Sequence, residues 1–186
     1  MQNTFPKRKY PRAAFLDYMS GDYFVTVCTK NKIHYFGYIL NDKMNLSSVG
    51  QFLKDNIEST EDHYPDAIIL NYVIMPNHVH LIVRIKDVVG NGQNDAVNRG
   101  KLNELAEISV ATGRDPTMTT HHNSRLSVIV GSMKAAVTRY ARLNSIEFGW
   151  QPRYHDHMIR GSRDGDNIWN YIDNNVANWN KDCFNK

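Results

Sequence analysis

Two histidines separated by one residue supply the clearest candidate for metal chemistry in this chain. His78-Val79-His80 opens an apolar segment of strand composition directly after Met75-Pro76-Asn77. Because side chains alternate along a strand, His78 and His80 are predicted to share one face, with Val79 on the other. Two imidazoles placed in this way form half of a divalent-metal site. The alternative is two polar positions on the open face of a sheet.

A second pair of the same spacing, His155-Asp156-His157, lies near the C-terminus in the alternating segment 153–160. Residue chemistry alone leaves both pairs open as metal ligands. The first pair is favoured because it follows a turn whose proline removes a ladder donor and can leave the site open.

Tyr171 and Asn175 are four residues apart in a predicted final helix, 166–179, and would share one helical face. They could present a phenol and an amide oxygen to a cation bound by the histidine pair. A phenol is a poor nucleophile at neutral pH, but it becomes useful when a metal orients and polarises a phosphate. The alternative is a core tyrosine beside Trp169 and Ile172.

The elements that must position these groups follow from periodicity and from Gly/Pro breaks. Predicted strands cover residues 22–29, 67–74, 78–85 and 153–160, with a short strand or hairpin arm within 33–45. Helices are predicted from Ser47 or Ser48 to about Tyr64, from Ser127 onwards, and from Asp166 or Asn167 to Trp179. A break is expected at 161–165. Segregated strands and helices favour an α+β antiparallel sheet with helices on one side.

Length and composition predict one domain, 1–186, with a basic N-terminal arm (1–20) and a flexible insertion (87–124). No apolar run reaches the roughly 20 residues of a membrane span, and the basic N-terminus has no apolar stretch after it, which argues against a secretory signal. Two cysteines make no disulfide framework, so a cytoplasmic location is expected.

The net charge of +3 is small, but the basic residues cluster near the start and in the last third of the chain. This distribution suits a polyanion such as a nucleic acid, although solvated basic faces are also common. The basic candidates for nucleic-acid contact are Lys7, Arg8, Lys9, Arg12, Lys134, Arg139, Arg153 and Arg160.

Three stretches in this order, Tyr72–Val83, Trp150–Arg160 and Tyr171–Trp179, resemble the REP-associated tyrosine transposases, which are single-tyrosine transposases with a His-hydrophobic-His (HUH) motif. The resemblance covers about residues 10–86 and 125–180. It implies a ferredoxin/RRM-like antiparallel sheet with helices mainly on one face. It also implies cleavage and joining of single-stranded or hairpin DNA by a monomer or a homodimer.

The resemblance assigns Tyr171 as the nucleophile, with His78 and His80 holding Mg²⁺ or Mn²⁺. Asn175 stands where related proteins often carry glutamine and would be the third ligand. The family usually has proline at the position of Val176, so the helix is predicted to continue unbroken there.

The remaining implied contacts are with DNA: His155 and His157 support or touch it, and bases stack on Trp150 or Tyr154. Two other functions stay open. One is a non-catalytic single-stranded nucleic-acid-binding module of the same fold, and the other is a metal hydrolase that uses water.

Overall fold

The computed structural model describes residues 20–86 and 125–185. Within these residues the strands, in chain order, are β1 Gly21–Cys28, β2 Gly37–Leu40, β3 Lys43–Leu46, β4 Ala67–Met75, β5 His78–Ile85 and β6 His155–Met158. The helices are α1 Ser48–Glu58, α2 Thr60–His63, α3 Arg125–Leu143 and α4 Gly161–Asp173, with short 3₁₀ turns at Lys30–Lys32 and Trp179–Lys181.

Four strands form an antiparallel sheet in the order β4-β5-β1-β6, and β2 and β3 form a separate hairpin. With α1 before β4 and α3 before β6, the chain follows the βαββαβ order of ferredoxin-like folds. The predicted α+β class is confirmed. A two-residue turn, Pro76-Asn77, joins β4 to β5.

The central strands β1 and β5 each have two different faces. Tyr23, Val25 and Val27 of β1 are buried together with Val79 and Leu81 of β5 in the main hydrophobic core. The intervening residues of both strands point to the opposite face, as the alternation predicts. One strand therefore contributes to the core and to the candidate site at the same time.

Helices α1 and α3 cover the core face, and both contribute buried apolar side chains to the core. Ser47 is the N-cap of α1, because its hydroxyl accepts the Gly50 N–H at 3.1 Å. The helix ends at Glu58, earlier than predicted, and α2 follows after a break at Ser59. Helix α3 already begins at Arg125, so Ser127 lies inside its first turn rather than at its cap.

Two predictions about the final helix are wrong. The segment 161–165 is not a break but the first turn of α4, which begins at Gly161 with φ +76°. The helix also ends at Asp173 and does not continue through Val176. At that end the Asn174 side chain donates to the Asn170 carbonyl and Asn175 N–H bonds Ile172, so the last turn tightens and ends without a proline.

The described residues belong to one of two units into which the chain divides, Met1–Lys86 with Ser124–Lys186. The second unit, Asp87–Asn123, and the predicted basic arm lie outside the described residues. Within 20–86 and 125–185, no helix has both the length and the apolar composition that a membrane crossing requires.

Two helical glycines differ in the space beside them, which gives a paired test of the packing between α1 and the hairpin. A Cβ at Gly50 would press into the Phe36 carbonyl, whereas a Cβ at Gly131 of α3 meets nothing within 4 Å. Gly50→Ala is expected to destabilise folding by about 2 kcal/mol or more through overpacking. Gly131→Ala should stabilise it by about 0.5–1 kcal/mol through helix propensity.

Urea unfolding of both variants measures the two changes in free energy. If Gly50→Ala is as stable as the wild type, the close approach of α1 to the Phe36 carbonyl is wrong.

Candidate active site

The histidine pair lies on the sheet face opposite the core. His78 is paired with Cys28 of β1 and His80 with Thr26. The two imidazoles are 0% and 2% exposed, and their ring centroids are 4.6 Å apart. Buried imidazoles need defined partners, and the site is built from those partners.

Asn77, in the turn before β5, determines which ring nitrogen of His78 carries the proton. Its amide nitrogen donates to the carbonyl oxygens of Lys32 (3.2 Å) and Phe184 (2.9 Å), which directs its Oδ1 to His78 Nδ1 at 2.8 Å. An amide oxygen only accepts, so His78 Nδ1 carries the proton and Nε2 carries the lone pair. That Nε2 is buried and has no hydrogen-bond partner.

His80 connects the sheet to α4. Its Nδ1 lies 2.8 Å from Thr26 Oγ1, and its Nε2 lies 3.2 Å from the Tyr171 hydroxyl. The ring of Phe24 stacks on the imidazole at 5.2 Å between centroids and meets Tyr171 edge-on at 6.1 Å. With the proton on Nδ1, the single lone pair of Nε2 accepts the phenol O–H, and a cation bound at Nε2 would take the place of that hydrogen bond.

Helix α4 brings Tyr171 to this face of the sheet, where the tyrosine side chain remains partly exposed to solvent. Ile172 is buried, whereas Tyr171 is 45% exposed, which excludes the alternative of a core tyrosine. Partial burial is the main cause that raises the pKa of Tyr171, and a hydrogen bond with Asn175 acts in the opposite direction. The phenol therefore needs help to ionise at neutral pH.

Asn175 lies just past the end of α4 and is 3% exposed. Its Oδ1 is buried without a hydrogen-bond partner, as is His78 Nε2. Unpartnered acceptors of this kind are costly to bury and require an explanation. Asn175 is joined to the histidine pair through the Tyr171 hydroxyl, which hydrogen-bonds both Asn175 and His80, so a cation at this site would be a partner for such acceptors.

A segment that sequence analysis did not single out packs against the histidines. After the 3₁₀ turn at Trp179–Lys181, the Phe184 ring lies 4.4 Å from that of His78. The Asp182 Oδ2 atom lies 3.8 Å from His78 Nε2. Lys32 holds this segment through a bond from Nζ to the Cys183 carbonyl. No local sequence pattern predicts this contact, because the segment lies beyond the last predicted helix and has no periodicity of its own.

Both imidazoles are neutral in the folded chain. Burial, followed by the charge of the neighbouring imidazole, lowers the pKa of His78 to about 2, and burial lowers the pKa of His80 to about 3. Neutral imidazoles are the form that binds metals.

These donors fit a divalent cation. Nε2 of His78, Nε2 of His80 and Oδ1 of Asn175 are the atoms that would hold it, two nitrogens and one amide oxygen. Histidine, cysteine, aspartate and glutamate alone make no group of three close enough to hold a metal among the described residues, so an amide ligand or an inward shift is needed.

The second histidine pair lies on the same face, on the edge strand β6. Thr26 pairs with His80 on one side and with His155 on the other, which puts the two histidines in one row across three strands. Phe24 likewise pairs with His157, whose Nε2 bonds Asp164 of α4 at 2.9 Å. This pair is exposed, and its predicted support of DNA stays a prediction.

A cleft of about 450 Å³ separates α4 from this face of the sheet. Trp169 lines it from the helix, and the Asp22–Arg84 ion pair lines it from the sheet. Sequence analysis treated Trp169 only as a possible core neighbour of Tyr171, but it is exposed.

Several predicted nucleic-acid contacts are engaged within the protein. Lys134 Nζ donates to the carbonyl oxygens of Gln151 and Arg153 and lies over the Trp150 ring, whose Nε1 donates back to the Lys134 carbonyl. The Tyr154 hydroxyl lies 2.8 Å from that of Ser127.

Of the other basic candidates, some are exposed on the surface and the rest lie outside the described residues. Arg153 and Arg160 are exposed, and Arg139 is exposed on α3, the helix that covers the core face. Lys7, Arg8, Lys9 and Arg12 lie outside the described residues. Nucleic-acid binding by all of these residues stays a prediction.

Comparison with known proteins gives one relative and a shared fold. No family model matches the chain. A Haemophilus influenzae protein, described only as uncharacterized, is 35% identical over 177 residues, which is 94% of this chain and 91% of that protein. The solved structure of a REP-associated tyrosine transposase bound to a REP hairpin aligns with a TM-score of 0.51 at 18% identity, covering 93% of this chain and 74% of its own.

The lowered histidine pKa values predict sensitivity to acid. The unfolded chain binds protons at these histidines below about pH 6.5, and the folded chain does so only near pH 2–3, so stability falls as pH is lowered through this interval. In EDTA, the free energy of unfolding should fall by up to about 1.4 kcal/mol per pH unit for each histidine.

His80→Gln removes one of the two groups and should give a shallower pH dependence of the unfolding free energy. His63→Gln, at an exposed position, serves as the matched control and should keep the wild-type slope. Equal slopes for His80→Gln and the wild type would contradict the burial of a neutral imidazole there.

Proposed function

The chain belongs to the same family as the Haemophilus influenzae protein, and from that premise and the shared transposase fold we propose that it cuts and rejoins single-stranded DNA. The proposed enzyme is a metal-dependent single-tyrosine transposase of the HUH kind. It acts on hairpin DNA with single-stranded flanks, like REP sequences, and forms a 5′-phosphotyrosine intermediate.

One contact carries this proposal. The Tyr171 hydroxyl, from α4, lies 3.2 Å from Nε2 of His80, from β5, and the phenol remains 45% exposed. A nucleophile that attacks DNA must be accessible to the DNA and must lie next to the groups that stabilise charge on the phosphate. Tyr171 meets the first condition. The second is supported by its hydrogen bond with Asn175 and by two buried acceptor atoms without partners, His78 Nε2 and Asn175 Oδ1.

The proposed reaction is a transesterification. The phenolic oxygen of Tyr171 forms a bond to phosphorus while the bond from phosphorus to the 3′ oxygen breaks. The phenol loses one proton and the leaving 3′ oxygen gains one, giving a free 3′-OH and a 5′-phosphotyrosine. The phosphodiester energy is retained for rejoining, so no nucleoside triphosphate is needed.

Each residue has a distinct task in this proposal. Asn77 and Thr26 orient the two imidazoles through their Nδ1 atoms, and His78 and His80 direct Nε2 to a divalent cation. Bound Mg²⁺ or Mn²⁺ would neutralise charge developing on the phosphate. Asn175 would supply the third ligand.

The cleft between α4 and the sheet is the proposed place for a base flanking the scissile phosphate. Trp169 offers an exposed indole there on which a base can stack. Exposed arginines of the last third, such as Arg160, would contact phosphates.

Tyr171→Phe tests the covalent step. Incubation of the wild type with a labelled hairpin oligonucleotide and Mn²⁺ should give an adduct that survives denaturation, and Tyr171→Phe should give none, because only the attacking oxygen is lost. Tyr38→Phe, in the β2–β3 hairpin and also exposed, is the matched control and should form adduct like the wild type.

The two other functions give different results in the same assay. If Tyr171→Phe still cleaves while His78→Ala does not, the protein is a metal hydrolase that activates water. If the wild type binds a cognate hairpin but never forms an adduct or a nick, it is a binding module.

Binding to DNA should weaken steeply between about 50 and 200 mM salt, because phosphate contacts release counterions. Fluorescence anisotropy of a labelled hairpin measures the slope of log affinity against log salt. Arg160→Ala should reduce that slope by about one, whereas Lys43→Ala, in the separate hairpin, should not change it. A flat salt response in the wild type would rule out phosphate contacts as the source of affinity.

A further inference from the structure

We propose that Asp182, in the segment after the last helix, is an additional ligand of the cation held by the histidine pair. The proposal rests on the cation site of the proposed function and adds a carboxylate to it. The observation that carries it is the facing pair of atoms His78 Nε2 and Asp182 Oδ2, 3.8 Å apart.

The hydrogen bonds around His78 leave an electron pair on each of these two atoms. Asn77 Oδ1 accepts from His78 Nδ1–H, so Nε2 of the neutral ring has a lone pair and no proton. A carboxylate oxygen offers only lone pairs as well. Two electron-rich atoms facing each other repel, unless a cation or a proton lies between them.

Both side chains are almost completely removed from water, which makes the repulsion costly. His78 is 0% exposed, and the Asp182 side chain is 6% exposed. Screening by solvent is weak at such positions, and a buried carboxylate requires compensation. His78 Nε2 has no hydrogen-bond partner that would relieve it.

The separation suits one bridging ion. Metal–nitrogen and metal–oxygen bonds of about 2.0–2.2 Å allow two ligand atoms of one ion to be up to about 4.0–4.4 Å apart. The observed 3.8 Å lies within that reach. The described histidines and carboxylates do not yet form a complete three-residue group, so ion binding would draw the donors inward.

Charge also favours a carboxylate at this place. Two neutral imidazoles and the Asn175 amide bring no negative charge to a divalent cation. One carboxylate neutralises half of the ion's charge, and ligand charge is a main determinant of affinity for hard cations.

The backbone is suited to deliver this carboxylate. Asp182 Oδ1 accepts the Phe184 N–H at 2.7 Å, which orients the side chain within its own turn and leaves Oδ2 directed at His78. The Phe184 carbonyl in turn accepts from Asn77, the residue that sets the His78 tautomer. The same segment therefore orients both the carboxylate and the imidazole.

The experiment measures Mn²⁺ binding to the whole protein without DNA, by isothermal titration calorimetry. Asp182→Asn keeps the shape of the side chain and the Oδ1 acceptor but removes the charge, and it should weaken Mn²⁺ affinity by about tenfold or more. The matched control is Asp42→Asn, an exposed carboxylate in the β2–β3 turn, where φ of +55° suits asparagine. It should bind Mn²⁺ like the wild type.

Hydrogen exchange supplies a second readout that a purely structural role of Asp182 would not move. In the wild type, Mn²⁺ should increase protection of backbone amides in 179–185 several-fold, and in Asp182→Asn this increase should be lost. Asp182→His should restore binding with a preference shifted from Mn²⁺ towards Co²⁺ or Ni²⁺, because imidazole replaces oxygen.

The outcomes separate this inference from the proposed function. If the wild type binds Mn²⁺ and Asp182→Asn binds it with the same affinity, Asp182 is not a ligand, and the transposase proposal is unaffected. Affinity lost in Asp182→Asn, together with cleavage that survives Tyr171→Phe, supports the ligand role and overturns the tyrosine mechanism. A wild type that binds no divalent cation overturns both.

Discussion

A chain of hydrogen bonds from Thr26 through both nitrogens of His80 to the Tyr171 hydroxyl joins the central sheet to the last helix. It depends on a neutral imidazole inside the protein, which accepts on one nitrogen and donates on the other. Burial lowers the pKa of His80 to about 3, so the required form dominates at neutral pH. This arrangement keeps the Tyr171 hydroxyl beside the imidazole while the phenol remains 45% exposed.

The division of β5 between two environments explains how a small domain can bury polar groups without losing its core. Val79 and Leu81 pack against helices on one face, and the intervening histidines are enclosed on the other face by a helix and by the segment around Phe184. The polar face stays ordered because each Nδ1 atom has a defined partner. Two buried acceptor atoms, His78 Nε2 and Asn175 Oδ1, still lack a hydrogen-bond partner, and both belong to the candidate site.

Sequence patterns predicted the strand of the histidine pair, a helix start at Ser47 or Ser48 and the approximate order of strands and helices, because these follow from local periodicity and local hydrogen bonds. The predicted ends of α4 are wrong because of backbone and side-chain features that helix periodicity does not reveal. Glycine at 161 adopts φ +76° just before a regular turn, and asparagines at 174 and 178 use their side chains on backbone carbonyls. Propensity gives little warning of either event. Charge alone predicts a DNA contact for Lys134, which stays a prediction; only tertiary packing shows that its ammonium donates to two carbonyl oxygens.

Strand alternation in the sequence is enough to determine that the two imidazoles share one face. The four-residue spacing of Tyr171 and Asn175 predicts one shared helical face, but α4 ends at Asp173, and the two side chains meet through a hydrogen bond beyond that end. Only the tertiary structure decided that Tyr171 meets His80 across 91 positions of the chain and that Asp182 faces His78. Such contacts depend on how helices and tails pack against a finished sheet. That packing is set by the burial of many apolar groups together, and no short pattern encodes it.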